Sequence, residues 1–114
     1  MIHHKLAGCG VCLIGPGLGR GNGVAAVVRH LLHEIHIPVI LDADGINALE
    51  GHIDVLDARQ GLHTVLTPHD GEFARLGGDL SDGDRLGAAR RFAMEHTCCL
   101  VLKGHRTITA FPDG

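Results

Sequence analysis

The sequence predicts an α/β protein in three layers, with a mostly parallel β-sheet and helices on both of its faces. Three observations support this prediction. Short apolar runs alternate along the chain with longer segments that have helical periodicity. The connections between them are short, which favours parallel strands joined by crossover helices. The runs are almost continuously apolar, as strands buried on both faces require.

Five apolar runs are the predicted strands. They cover residues 11–14, 39–41, 65–66, 98–102 and 107–111. The last is expected to lie antiparallel to the fourth, because only a short turn separates them. A first helix is predicted from Asn22, as its N-cap, to Ile35, because apolar residues recur there with helical spacing. Shorter helices are predicted after residue 45, after Asp70 as a cap, and after Ser81, which with Asp84 resembles a capping box.

Composition excludes several classes of function. The chain has 114 residues, enough for one domain, and a formal net charge of -3. It has no basic block and no Trp or Tyr, so nucleic acid is not an expected partner. Its apolar runs are far shorter than the roughly 20 residues that span a bilayer, and residues 1–10 contain no apolar segment of signal-peptide length. We therefore expect a cytoplasmic protein that binds neither membrane nor nucleic acid.

The spacings of the cysteines and histidines allow two interpretations, a metal or redox site and a purely structural role. Cys9 and Cys12 form a C-x-x-C pair, which suggests redox or zinc chemistry. The pair adjoins an apolar strand, not a helix N-terminus, so we prefer small buried thiols. His30, His33 and His36 lie one helical turn apart, but such spacing is more often a solvated helix face than a metal site.

Polar and glycine-rich segments follow each of the first four predicted strands. These segments are 15–19, 42–45, 67–72 and 103–107. Because the carboxyl ends of parallel strands meet at one edge of a sheet, we expect the four segments to form one ligand site there.

Each of these segments also has a purely structural interpretation. The glycine-dense segment beginning at Gly15 could cradle an anion or form a tight turn, and it matches neither the dinucleotide nor the P-loop pattern. One of Asp42 and Asp44 is expected to cap a helix, and the other to face the rim and hold a ligand hydroxyl or a hydrated metal ion. Lys103 ends a buried strand, where a lone cation favours an anionic ligand such as phosphate.

His69 and Glu72 are spaced so that both can face one site on a first helical turn. Alternatively, Glu72 and Asp70 only complement the helix dipole.

Four motifs, in order, resemble the ATP/ADP-dependent NAD(P)H-hydrate dehydratase family of the ribokinase-like superfamily. They are Gly15-Pro16-Gly17-Leu18-Gly19, Asp42-Ala43-Asp44-Gly45-Ile46-Asn47-Ala48-Leu49, the segment from Leu66 to Leu76 that contains Thr67-Pro68-His69, and Val101-Leu102-Lys103-Gly104. The resemblance runs from about Val11 to Gly114. It implies that residues 1–114 are a central part of a ribokinase-like domain.

The resemblance also implies an activity and a set of contacts. Members of this family are lyases of metabolite repair that use ATP or ADP with Mg²⁺ to dehydrate hydrated NADH or NADPH. A nucleoside phosphate phosphorylates the hydroxyl of the hydrate, and phosphate is then eliminated. The implied substrate contacts are Gly17, Gly19, Asp44, His69 and Glu72. The implied nucleotide contacts are Lys103, Gly104, His105, Arg106 and Thr107. Glu72 is also implied to organise magnesium through water.

In the family, a glycine-rich anion hole and a catalytic base follow the last of these motifs. We expect that base beyond Gly114, so that the isolated chain is inactive and associates with itself through open sheet edges. One alternative is a small-molecule kinase of the same superfamily, although His69 favours the dehydratase because many kinases have Asn there. The other alternative is a non-catalytic nucleotide-binding fragment.

Overall fold

A computed structural model describes residues 11–15, 22–59 and 61–113. Its elements are, in chain order, β1 (Cys12–Ile14), α1 (Asn22–Glu34), β2 (Val39–Leu41), α2 (Asp44–Asn47), a 3-10 helix (Ile53–Arg59), β3 (Thr64–Leu66), α3 (Asp70–Arg75), α4 (Arg85–His96), β4 (Cys99–Leu102) and β5 (Ile108–Ala110). All five predicted strands are present, and so are the predicted helices. The 3-10 helix was not predicted.

The strands form one sheet in the order β1-β2-β3-β4-β5. The first three pairings are parallel, and β5 runs antiparallel to β4, which confirms the mostly parallel sheet. An isolated parallel bridge between His69 and Lys103 continues the contact of the β3 and β4 segments beyond the two strands. The ends of these two strands therefore stay side by side as the chain leaves the sheet.

The two faces of the sheet differ in burial. One face carries a buried row made of Ile14, Leu41, Leu66, Leu100 and Ala110. On the other face, Leu13 is 55% exposed. A sequential strand order with right-handed crossovers brings the connecting helices to the same face, which explains this difference. The described residues therefore form two layers, the sheet and one layer of helices. They do not form the second helical layer that we expected, and they do not bury both sheet faces.

The core lies between the buried sheet face and the helices. Helix α1 contributes Val28 and Leu32, both fully buried, which confirms the periodicity of this segment. Phe73 of α3 and Phe92 of α4 meet edge to face, with ring centroids 5.2 Å apart. No helix within the described ranges is long and apolar enough to cross a membrane.

Two predicted helix caps are wrong. Helix α3 is capped by His69 and not by Asp70, because the His69 side chain accepts a hydrogen bond from the third helical amide. Helix α4 is capped by Asp84, whose carboxylate accepts a hydrogen bond from the Gly87 amide. Ser81 instead donates to the Asp79 side chain in the preceding turn. In both cases, the cap is the residue that directly precedes the helix.

Arg59, at the end of the 3-10 helix, is a buried charge that the sequence did not indicate. The residue is 1% exposed. Its Nε donates to Thr64 Oγ1 at 2.8 Å, and its two terminal nitrogens donate to the carbonyls of Leu32, Ile35, Ile37 and His63. Burial lowers the pKa of this guanidinium, although an interaction with Cys12 acts in the opposite direction. Arg59 therefore holds the segment that connects α1 to β2.

The described thiols and the histidines of α1 do not form a metal site. Cys12 and Cys98 are buried, and burial raises the pKa of Cys98 to about 12, which agrees with inert thiols. Cys9 lies outside the described residues. His30 and His33 are exposed. Among residues 11–15, 22–59 and 61–113, no three His, Cys, Asp or Glu side chains are grouped so that they could hold a metal ion.

Candidate functional site

The polar segments after β2, β3 and β4 meet at one rim of the sheet. Lys103, which follows β4, donates from Nζ to Asp42 Oδ1, at the end of β2, over 3.2 Å. Thr67, at the end of β3 between them, donates from its hydroxyl to the Leu41 carbonyl at 3.2 Å. The convergence predicted from topology is present for these three strand ends. We call the group of Asp42, Thr67, His69 and Lys103 the rim site.

Asp42 is held as a carboxylate in this site. Partial burial by itself would raise its pKa, but the neighbouring Thr67 side chain, the hydrogen bond and charge of Lys103 and the Ala43 amide together lower the pKa below its ordinary value. The Ala43 amide donates to Asp42 Oδ1 at 2.9 Å. At neutral pH the rim site therefore contains an ionised pair, and both side chains remain partly open to solvent. Charged side chains in this position can exchange their mutual contact for contacts with a ligand.

The turn after β2 has an unusual backbone. Ala43 has φ 47° and ψ -115°, a conformation that residues with a side chain rarely adopt. Two glycines permit close packing of this turn against the end of β1. A Cβ on Gly15 would lie 2.0 Å from the Asp42 carbonyl oxygen, and a Cβ on Gly45 would lie 2.5 Å from the Ile14 carbonyl oxygen. Such strained, closely packed turns are frequent where a side chain must be held in place for a ligand.

His69 and Glu72 form a reciprocal cap at the start of α3. The Glu72 amide donates to His69 Nδ1 at 3.2 Å, and the His69 amide donates to Glu72 Oε1 at 3.1 Å. The Glu72 side chain is 9% exposed, whereas that of His69 is 55% exposed. Glu72 is thus buried beneath the imidazole and supports its orientation.

The cap also determines the proton position on a neutral His69 imidazole. Because Nδ1 accepts a hydrogen bond, the proton of the neutral ring is on Nε2. Nε2 is therefore the N–H donor of this half-exposed ring, and it lies 3.7 Å from Glu72 Oε1.

The loop between β4 and β5 is bound to the start of α3 by Arg85, a residue that sequence reasoning missed. Arg85 Nη1 donates to the Arg106 carbonyl at 2.7 Å, and Nη2 donates to Asp70 Oδ1 at 2.9 Å. Arg85 stands at the first position of α4, well before the loop in sequence. An arginine beside a helix cap gives no local signal of such a contact.

The predicted site residues fall into three groups. Gly17 and Gly19 lie outside the described residues. His69, Glu72 and Lys103 belong to the rim site or lie directly beneath it, whereas Asp44 is half-buried in the first turn of α2. The four other predicted nucleotide contacts are exposed in the loop after Lys103, and they are Gly104, His105, Arg106 and Thr107. Asp42 reaches the rim, and the substrate contact of Asp44 stays a prediction. The expected helix cap by one of these two carboxylates is wrong, because Ala43 occupies the N-cap of α2 without a side-chain hydrogen bond.

A mostly parallel sheet with this rim defines the class of protein as a ribokinase-like α/β domain. A ribokinase-like superfamily protein from Enterococcus faecalis has the same fold, with a TM-score of 0.71 at 24% identity over 90% of this chain and 36% of that one. The sequence family can also be assigned. A family model described as NAD(P)H-hydrate dehydratase matches residues 2–114, so the chain belongs to that family.

Individual relatives agree with this assignment. The chain is 47% identical over 105 residues to a bifunctional NAD(P)H-hydrate repair enzyme of Salinibacter ruber, covering 90% of this chain and 19% of that protein. It is 43% identical to the corresponding enzyme of Moorella thermoacetica, covering 96% and 21%. The ADP/ATP-dependent NAD(P)H-hydrate dehydratase of Bacillus subtilis superposes with a TM-score of 0.70 at 36% identity, covering 92% and 37%. The chain thus spans about a fifth of these curated relatives and 37% of the solved enzyme.

Proposed function

We propose that this chain carries substrate and nucleotide contacts of an ADP/ATP-dependent NAD(P)H-hydrate dehydratase, and that residues 1–114 are part of a longer domain. The observation that carries the proposal is the rim site, where the Asp42–Lys103 ion pair adjoins His69. Support comes from the relatives, since the Bacillus subtilis enzyme was co-crystallised with ATP and Mg²⁺.

In this proposal, Lys103 binds the phosphates of the nucleotide. Lys103 lies at the carboxyl end of a buried strand and its side chain is 46% exposed, so an anion can reach the ammonium group. The loop 104–107 offers main-chain amides to the same ligand. Phosphoryl transfer depends mainly on positioning and on electrostatic stabilisation, and a fixed cation with main-chain donors supplies both.

His69 contacts the hydrated nicotinamide. The cap fixes its ring, and the side chain is 55% exposed, with Nε2 lying 3.7 Å from Glu72 Oε1. From this position the Nε2–H can donate to an oxygen of the hydrate. The Thr67-Pro68-His69 sequence places this donor on the strand next to Lys103. Hydrate and nucleotide would therefore bind to neighbouring strand ends.

Magnesium fits this site only as a partner of the nucleotide. The described residues contain no group of three acidic, histidine or cysteine ligands, and one Glu72 oxygen already accepts the His69 amide. Mg²⁺ commonly binds through one or two carboxylates together with phosphate oxygens. Asp42 is the partly exposed rim carboxylate that fits this role, and the ion would neutralise phosphate charge there. The implied role of Glu72 through a water molecule stays a prediction.

In the reaction of this family, a nucleoside phosphate phosphorylates the hydrate hydroxyl and phosphate leaves. The described residues would hold the two ligands and orient them. The base expected beyond Gly114, the homo-oligomeric assembly and the cytoplasmic location stay predictions.

The first test is binding of ADP with Mg²⁺ to this chain, followed by amide chemical shifts. We expect changes that centre on Lys103 to Thr107. Changes confined to the helix with His30 and His33 would contradict the assignment.

The second test separates the two roles of His69, in a longer version of the domain that turns over the hydrate. Asn is a good N-cap, so His69→Asn keeps the cap and removes the Nε2 donor, whereas His69→Ala removes both. We expect both variants to weaken binding of hydrated NADH by about 1–3 kcal/mol and to leave nucleotide affinity nearly unchanged. Hydrate affinity retained in His69→Asn would show that the imidazole acts only as a cap.

A further inference from the structure

Arg85 joins the proposed nucleotide loop to the helix that carries His69. Its Nη2 and Nε donate to Asp70 Oδ1 at 2.9 and 3.3 Å. Its Nη1 donates to the Arg106 carbonyl at 2.7 Å, and Nη2 also lies 3.4 Å from the Lys103 carbonyl. One guanidinium therefore contacts a carboxylate at the start of α3 and two main-chain carbonyls of the loop. The two carbonyls belong to Lys103 and Arg106, at the beginning and near the end of the loop.

We propose that Arg85 is a positioning residue for the nucleotide loop, with Asp70 as its anchor. This inference rests on the proposed function, in which loop 103–107 binds the adenine nucleotide. The loop has no regular structure between β4 and β5, and His105, Arg106 and Thr107 are exposed. Holding it in one conformation before the ligand arrives reduces the ordering cost of binding.

The chemistry of the contact requires arginine. A planar guanidinium presents donors in several fixed directions, so it can reach a carboxylate and two carbonyls at once. A lysine at this position keeps the charge but offers donors from a single nitrogen, and it can satisfy only some of these acceptors.

Gly104 packs directly against this guanidinium. A Cβ at this position would lie 2.6 Å from Arg85 Nη2, and the φ of Gly104 is not in the left-handed region. Glycine is therefore not needed here for its backbone conformation. It leaves space for the guanidinium to cross the loop, so the Lys103-Gly104 pair and Arg85 form one arrangement.

Loss of a positioning residue lowers ligand affinity, whereas loss of a purely structural residue lowers folding stability. Arg85 and Asp70 have side chains that are 25% and 51% exposed, and neither belongs to the core. Solvent-exposed ion pairs contribute little to folding stability. Loss of Arg85 should therefore change nucleotide affinity much more than the unfolding midpoint.

The experiment measures the dissociation constant for ADP with Mg²⁺ in this chain, together with amide hydrogen exchange in residues 104–107. The variants are Arg85→Gln, Arg85→Lys, Asp70→Asn and the double variant Arg85→Gln/Asp70→Asn. The control is Arg90→Gln, which removes an exposed charge from the same helix. We expect Arg85→Gln to weaken ADP binding by about tenfold and to speed exchange in the loop, because charge-assisted bonds to the loop are lost.

Arg85→Lys should recover part of the affinity, and Asp70→Asn should have a smaller effect than Arg85→Gln. The double variant should be no weaker than Arg85→Gln, because Asp70 acts through Arg85. If the unchanged chain does not bind ADP, the proposed function fails and this inference fails with it. If the unchanged chain and Arg85→Gln bind ADP equally, only this inference fails. Equal losses in Arg85→Gln and Arg90→Gln would also overturn it, because they would indicate a general charge effect.

Discussion

Replacing Arg59 by methionine is expected to lower the free energy of unfolding by about 3 kcal/mol. Methionine keeps much of the apolar stem and removes the guanidinium. The Leu32 carbonyl, in the last turn of α1, then loses its charged donor, and helix carbonyls there have no partner within the helix. The carbonyls of Ile35 and Ile37, in the segment after α1, lose theirs too.

The magnitude follows from two opposing effects. A buried carbonyl left without a donor costs about 1–3 kcal/mol. Three of the four carbonyls that Arg59 binds are affected, because the His63 carbonyl also accepts from the Val39 amide. The variant also avoids the cost of burying a charge, which is the reason that the pKa of Arg59 is lowered. Arg59→Lys keeps the charge and some of the bonds, so we expect it to lose only about half as much as Arg59→Met.

Urea unfolding should be followed by far-ultraviolet circular dichroism, because the chain has no Trp or Tyr for fluorescence. With a urea dependence of about 2 kcal/mol per molar, the midpoint should fall by about 1.5 M. The matched control is Arg90→Met, on the exposed face of α4, which should change stability by less than about 0.5 kcal/mol. Equal midpoints for Arg59→Met and Arg90→Met would refute the reasoning, because the carbonyls would then not depend on the guanidinium.

Three further predictions concern stability. The pKa of Asp42 is lowered in the folded chain, so its contribution to folding stability is present above its unfolded value of 3.8 and is lost as the pH falls through the folded value. In urea titrations, the stability difference between the unchanged chain and Asp42→Asn should therefore shrink from pH 7 to pH 3, and a constant difference would contradict this. Gly15→Ala should destabilise the chain by about 1–3 kcal/mol through its contact with the Asp42 carbonyl, whereas Gly23→Ala, in open space on α1, should stabilise it by up to about 1 kcal/mol. If both variants changed the free energy of unfolding in the same direction, the close packing at Gly15 would be contradicted. Thr97 ends α4 with φ 51° and ψ 53°, so Thr97→Gly should raise the midpoint of thermal unfolding by relieving about 1 kcal/mol of strain, and a lower midpoint would count against that conformation.

Much of the fold and part of the site could be predicted from local sequence patterns. Helical periodicity located α1, apolar runs located the five strands, and their alternation predicted the parallel sheet. The placement of polar segments after the strands also predicted the rim, since parallel strands end on one side. His69 and Lys103 could therefore be predicted to lie side by side at the rim before their contacts were known.

Other features depended on the tertiary structure. The sequence left Asp42 and Asp44 as alternatives for a helix cap and a rim contact. Only the tertiary structure brought Asp42 against Lys103, 61 residues away, and it shows Ala43 at the N-cap of α2 with no side-chain cap. It predicted helices on both faces, but the sequential order of the strands places the described helices on one face.

The sequence by itself determined where strands and helices form and that polar residues collect at one edge, because those properties depend on neighbours along the chain. Only the tertiary structure decided the roles of Arg59 and Arg85. Both look like ordinary solvated arginines in the sequence, and their partners are carbonyl groups up to 27 and 21 residues away. Main-chain carbonyls are the same at every position, so no side-chain pattern marks the ones that a distant guanidinium will reach.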